Sequence, residues 1–190
     1  MRNASSALTA EPQLRDSPER ADALVRLAHV YHRLGNTARV KELMDAGINV
    51  CLGTDSPMSG SFSIFEEFRT AREFYKYAYG KSIDDRALVD MLTVNAAKAM
   101  CLPDAGEIAE GKAADLLLID GNASNPWASL THADYADVML VIADGTPRYG
   151  DIAFAPVFDA MKIPYQTILV KGARKIIAGD ILGVQNRVRQ

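Results

Sequence analysis

The sequence predicts an α/β fold, and three observations carry that prediction. Ile48 to Leu52 is a short apolar, β-branched run between Gly47 and Gly53, with the length and bounds of a buried strand. Helical patterns precede and follow it, and this alternation builds a parallel sheet whose faces are covered by helices. From Pro103 onward the texture changes to short strands punctuated by glycine, which implies a second layer or subdomain.

Residues 1–16 are small and polar without a period and are expected to form a loose arm. Ser17-Pro18-Glu19 starts a helix, with Ser as cap and Pro in the first turn, and Leu24, Leu27, Ala28, Tyr31 and Leu34 recur at helical spacing until Gly35. His29 and His32 lie three apart on this helix. They could share a face in the way metal ligands do, or be two surface histidines, the reading that the lack of a nearby carboxylate motif favours. Asn36-Thr37 caps a second helix, with Val40, Leu43 and Met44 as its apolar stripe and Gly47 as its stop.

That helix feeds the strand. Period-two geometry puts Asn49, Cys51, Gly53 and Asp55 on one face and turns Ile48, Val50 and Leu52 outward to helices. Asp55 follows the carboxyl end of the strand, where α/β folds place their chemistry. The alternative is that Asp55 caps the next helix or the turn at Ser56-Pro57. The loop from Ser56 to Phe62 then becomes a candidate pocket rim. A long amphipathic helix runs from about Ser63, with Ile64, Phe65, Phe68, Ala71 and Phe74 or Tyr75 turned inward. Asp84-Asp85 opens another, along which lie Leu88, Met91, Leu92, Asn95, Ala96 and Ala99. Asn95 among small alanines implies close approach, with its amide bonded to backbone.

Beyond Pro103 the strands are Asp115 to Ile119, Val138 to Ala143, Ile168 to Lys171 and Arg174 to Ala178. Asp144-Gly145 and Lys171-Gly172 have the composition of tight hairpin turns. Pro126 to Leu130 is expected to make one helical turn that buries Trp127 against the strands. His132 stands in a polar stretch and is expected to be exposed. A weak helical period and a basic tail follow Asp180.

With 190 residues, 48% of them hydrophobic and 24% charged, the chain is long enough for one sizeable core. It is shorter than the roughly 250 residues of a complete eight-stranded α/β barrel. A net charge of -3 without a basic cluster gives no footprint for nucleic acid or an anionic membrane. No apolar run approaches the roughly 20 residues of a membrane helix, and the first ten residues lack the apolar core of a signal peptide, so a cytoplasmic location is expected. Two cysteines, Cys51 and Cys101, are too few for a disulfide framework and read as reduced, structural residues in apolar contexts.

Four stretches, in this order and at these separations, resemble the carboxyl-terminal part of the amidohydrolase superfamily of metal-dependent hydrolases. They are Asp45 to Ser56 (DAGINVCLGTDS), Thr93 to Ala99 (TVNAAKA), Gly106 to Leu116 (GEIAEGKAADL) and Asp144 to Asp151 (DGTPRYGD), and together they cover the chain from about Asn36 to Asp151. The resemblance implies a (β/α)8 TIM-like barrel accompanied by a small β-sandwich. Residues 17–102 would then be the final βα part of the barrel, with Ile48 to Leu52 as its eighth strand. Residues 103–190 would be strands of the sandwich and a carboxyl-terminal tail.

By the same resemblance Asp55 is both the catalytic residue and the metal ligand of this chain. It would close the site of a divalent metal, zinc by expectation, and carry a proton from metal-activated water to the leaving group. Small molecules bearing amides, cyclic amides, aminated heterocycles or related esters are the implied substrates, and hydrolysis of a non-peptide carbon-nitrogen bond the implied reaction. The family's His-x-His pair, its bridging lysine or glutamate and its later histidines have no counterpart here. One carboxylate falls short of the three or four ligands that zinc takes. The chain is therefore expected to be a truncated or split hydrolase that meets a complementary amino-terminal half or another copy of itself. The competing expectation is a non-catalytic structural or oligomerisation module in which Asp55 is a relic or a local cap.

Overall fold

The computed structural model describes residues 40–54 and 61–188. The expected arm, the helix from Ser17, His29 and His32 lie outside the described residues. Helix α1 (Val40–Asp45) ends as its sequence requires: Gly47 takes a left-handed φ of 70°, and the amides of Gly47 and Ile48 bond back to the carbonyls of Met44 and Leu43, both at 2.9 Å. This is the paired closure that a glycine at that position permits.

Helix α2 (Ile64–Tyr79) starts at Ser63, whose hydroxyl accepts from the Glu66 amide, while the Glu66 carboxylate reaches back to the amide of Phe62 at 2.9 Å. Gly80 in a left-handed conformation ends it. Phe65, Phe68 and Tyr75 form its buried stripe, as their spacing predicts. Helix α3 (Asp85–Leu92) is capped by Asp84 and buries Leu88, Val89 and Met91.

The single helix expected from Asp84 to Ala99 breaks at Thr93, where φ is -112° and ψ is -92°, and resumes as α4 (Val94–Ala99). The Thr93 hydroxyl bonds to the Val89 carbonyl at 2.8 Å, the local competition by which a mid-helix threonine bends its helix. Asn95, on α4, does give its amide to backbone as expected, to the Val50 carbonyl at 2.9 Å.

Five strands follow: β1 (Leu116–Ile119), β2 (Val138–Ala143), β3 (Thr146–Asp151), β4 (Tyr165–Val170) and β5 (Ala173–Ala178). They form one antiparallel sheet in the order β1-β2-β3-β5-β4. Asp144 and Gly145 have φ of 50° and 70°, and Lys171 and Gly172 have 49° and 84°, so both predicted turns are two-residue hairpins with paired left-handed residues. Strand β3 extends beyond the strands read from sequence; its composition, with Gly150, Pro147 and two charges, hides the period. Helix α5 (Pro126–His132), capped by Asn125, crosses between β1 and β2. A 3-10 turn (Ile152–Phe154) and helix α6 (Ala155–Ala160) carry the chain from β3 past its neighbour to β4. Helix α7 (Ile181–Val188) ends the described chain.

Two expectations about the sheet are corrected. Ile48 to Leu52 forms no strand and is half-buried, because among the described residues it has helices for neighbours and no extended chain to make a ladder with. The parallel sheet predicted around it does not form among those residues, and the sheet that does form is antiparallel throughout.

Two side chains also differ from expectation. Trp127 is 39% exposed rather than buried against strands, because α5 turns it outward beneath the Arg86 guanidinium, 5.3 Å from the ring centre. Cys101 is exposed, placed by a left-handed φ of 56° just past the end of α4.

The core has three clusters, two of them joined through α5. Phe68, Tyr75, Ile83, Leu88, Val89 and Met91 cluster among the helices, and Leu140, Phe158 and Ile176 cluster on the sheet. Leu130 contacts both the helical cluster and the group of Phe65, Ala133 and Val138 beside β2. Polar contacts reinforce this junction. The Thr131 hydroxyl, fully buried, donates to Asp85 Oδ1 at 2.6 Å and accepts from Arg72 Nη2 at 2.8 Å, while Arg72 also pairs with Asp85 at 2.8 Å.

Candidate functional site

The candidate site is reached along the segment from Ile48 to Thr54. Asp55, the residue singled out from sequence, lies outside the described residues, as do residues 56–60 of the expected pocket rim. What is described is how the chain is delivered to Asp55. Val50 and Leu52 pack against the helical cluster with Met44, so the expected outward face of this segment is where the alternation predicts.

Three bonds hold the segment in place of a ladder. The Leu52 amide donates to the Met91 carbonyl at 3.1 Å. The Asn95 side chain donates to the Val50 carbonyl, and the Asn49 side chain donates in return to the Asn95 carbonyl, both at 2.9 Å. The Asn49 amide is engaged by α4, and its nitrogen lies 3.9 Å from Cys51 Sγ. Burial pushes the Cys51 thiol above its ordinary pKa. Gly53 is exposed and Thr54 half-buried, so the chain emerges from helix cover at the point where Asp55 follows.

The loop returns at Ser61 and Phe62, whose amides are held by the carboxylates of Glu67 and Glu66. Those two bonds occupy donors at the start of α2 that would otherwise face an anion. Phe62 is 79% exposed.

Among the described residues no three His, Cys, Asp or Glu side chains converge as metal ligands. His132 is exposed, as expected, and its Nδ1 lies 2.8 Å from the Ala128 carbonyl within its own helix. The structure brings Asn95 and Met91 to the segment from Ile48 to Thr54. Sequence reasoning named Asn95 but missed its exchange with Asn49. The signal was there in two asparagines, each set in an apolar run, since buried amides seek one another or backbone.

It also missed Lys175, a charged residue beside Arg174 in strand β5. Lys175 is 1% exposed and directs its ammonium to the carbonyls of Ala136 and Val138 at 2.8 and 2.7 Å and to Asp151. Asp151 stands directly opposite it in the β3-β5 register.

Comparison with known proteins gives this geometry a context. The chain is 35% identical over 139 residues to a 5-methylthioadenosine/S-adenosylhomocysteine deaminase of Halalkalibacterium halodurans, which covers 63% of this chain and 31% of that protein. It is 43% identical over 93 residues to a 5'-deoxyadenosine deaminase of Methanothrix thermoacetophila, covering 47% of this chain and 22% of that one. The chain thus spans about a third or less of the length of the curated relatives it matches. Among solved structures it is similar to the atrazine chlorohydrolase TrzN of Arthrobacter aurescens TC1 complexed with zinc, at 26% identity and a TM-score of 0.49, over 57% of this chain and 26% of that one.

The family match begins at residue 8, well upstream of the four stretches that carry the resemblance in sequence. Over most of its length, residues 8–152, the chain matches the model of the amidohydrolase family, and it belongs to that family.

Proposed function

We propose that this chain is the carboxyl-terminal part of a metal-dependent hydrolase that releases ammonia from an aminated heterocycle of the adenosine type. The observation that carries the reading is the family match across residues 8–152, which contains the Gly53-Thr54-Asp55 stretch. The substrate class is supported by relatives that deaminate 5-methylthioadenosine, S-adenosylhomocysteine and 5'-deoxyadenosine. In this reading the helices around Ile48 to Leu52 are the last βα part of a barrel, the antiparallel sheet belongs to the sandwich, and the compartment is the cytoplasm.

A divalent metal, zinc in this proposal, would supply activated water in the complete enzyme. The residues of this chain do not amount to a site for it. The sequence offers Asp55 without the family's histidine pattern, and the described residues hold no ligand cluster. No step through a metal therefore follows from this chain alone. Its own contribution is Asp55 as the carboxylate that completes the site and moves a proton towards the leaving nitrogen. The scaffold that delivers it comprises α2, α3 and α4.

The test is complementation. The chain is co-expressed with the Halalkalibacterium halodurans relative from which the matching third has been deleted, and ammonia release from S-adenosylhomocysteine is followed together with metal content. Turnover with bound metal, abolished by Asp55→Asn, is the expected outcome. A stable complex without turnover, or turnover indifferent to Asp55→Asn, returns the chain to the role of a non-catalytic module.

A further inference from the structure

We infer that the Asp120-Gly121 step is a site of spontaneous isomerisation to isoaspartate, from which the fold shields its twin at Asp144-Gly145. The sequence holds these two Asp-Gly steps and no others. The chemistry needs only water. The glycine amide nitrogen gives up its proton to solvent and attacks the side-chain carboxyl carbon of the preceding aspartate; a C–N bond forms, one carboxyl oxygen leaves as water, and a cyclic imide results. Water then opens the imide at either carbonyl. One opening restores aspartate, and the other leaves the main chain running through the former side chain, one carbon longer and unchanged in mass. Glycine favours closure because it puts no Cβ in the way. What separates the two sites is whether the glycine N–H is held by an acceptor and whether the chain around it can bend.

Both steps are exposed, so access of water does not distinguish them. At Asp144-Gly145 the Gly145 amide donates to the Ala114 carbonyl at 3.0 Å, and the Asp144 amide to Asp115 Oδ1 at 2.7 Å. The reacting nitrogen thus has its proton held, inside a two-residue hairpin whose φ angles of 50° and 70° are fixed by paired strands on both sides. Asp120-Gly121 lies just past β1, in neither strand nor helix. The Asp120 amide donates to the Asp137 carbonyl at 2.7 Å and the Asn122 amide to Ser129 Oγ at 2.9 Å, but the Gly121 amide between them has no acceptor among the described residues. The nitrogen that must react is the one this loop leaves unengaged. The change would not be silent. Gly121 sits so close to α5 that a Cβ on it would lie 2.7 Å from that of Ser129, so a chain one carbon longer has to lift away from that helix.

The test is peptide mapping of the purified chain after incubation for weeks at physiological temperature and neutral pH, with a parallel incubation in urea. Chymotryptic cleavage at Trp127 and Tyr135 puts the two steps on separate peptides, and electron-transfer fragmentation tells isoaspartate from aspartate in each. In the folded chain isoaspartate should accumulate about tenfold faster at Asp120 than at Asp144, the factor set by the bond and the turn that must open first. In urea the two rates should converge. Equal accumulation at the two sites in the folded chain, or an excess at Asp144, overturns the inference. So does an excess at Asp120 that persists undiminished in urea, because the neighbouring residues rather than the fold would then set it.

Discussion

Lys175→Met should be among the most damaging single substitutions on the sheet. The lysine is 1% exposed and opposite Asp151, and its three ammonium hydrogens meet three acceptors, the carbonyls of Ala136 and Val138 and the Asp151 carboxylate. Methionine keeps most of the stem volume, so little of the loss comes from a cavity. What is lost is the cation. Two carbonyls, one of them at the buried start of β2, go without that donor, and Asp151, whose side chain is 30% exposed, keeps partial access to water.

Removing one partner of a buried ion pair costs about 3–5 kcal/mol, and the access of Asp151 to solvent places this case near the lower end, about 3 kcal/mol. Asp151→Asn should cost at least as much, about 3 kcal/mol, since it leaves the 1% exposed ammonium of Lys175 without its counter-charge even though both carbonyls and an amide oxygen remain. The double variant should cost less than the sum of the two singles, because no charge is then left alone. Urea denaturation followed by circular dichroism measures all three. A loss below about 1 kcal/mol for Lys175→Met would refute the reasoning, for it would mean that the bonds made by the ammonium barely offset its removal from water.

Further expectations concern the junction, the close approaches and the exposed leucines. Burial disfavours the charged form of Asp85, but the hydrogen bonds from Thr131 and Arg72, with the charges of Arg72 and His132, prevail and hold its pKa below the usual carboxylate range. Asp85 therefore contributes stability above about pH 4 that is lost as pH falls through its depressed value. In Asp85→Asn the dependence of stability on pH below about 4 should be shallower by up to one proton, and an unchanged slope in acid titrations monitored by circular dichroism would contradict the assignment. Gly106→Ala should destabilise by about 2 kcal/mol in thermal unfolding, because φ is +90° and a new Cβ would lie 2.7 Å from that of Ala97. Leu116, Leu117 and Leu118 on β1 are 36%, 47% and 46% exposed, so Leu117→Lys should change the free energy of urea unfolding by no more than about 0.5 kcal/mol, and a larger loss would mean that this face is covered.

The parts of this fold that could be read from sequence are those whose cause is local. Ser63, Asp84 and Gly47 start or stop helices through bonds to residues three to five away. Asp144-Gly145 and Lys171-Gly172 close hairpins through their own φ angles. Strand β2 was legible because six consecutive apolar residues lie between turn signals.

The rest depends on partners remote in sequence. Whether Ile48 to Leu52 becomes a strand is decided by what lies beside it, and no propensity encodes that. The break at Thr93 reflects one hydroxyl competing with the helix, and Trp127 faces outward because α5 presents its other side to the Asp85 node. Lys175 is buried only because acceptors from residues 136, 138 and 151 are brought to it. At the candidate site, position along the chain singled out Asp55, and composition singled out Asn95. The exchange between Asn95 and Asn49 spans 46 residues and became visible only in three dimensions.

The strand order β1-β2-β3-β5-β4 bears on how the sheet is assembled. The β2-β3 and β4-β5 hairpins each close over two residues, whereas the seam between β3 and β5 joins positions such as Gly150 and Ile176 through three facing pairs. Chain-closure entropy favours the two hairpins forming early and the seam zipping last, with the 3-10 turn and α6 serving as the hinge. Amide exchange should accordingly release protection along that seam before it does so within either hairpin, and the reverse order would mean that the sheet opens as a single unit.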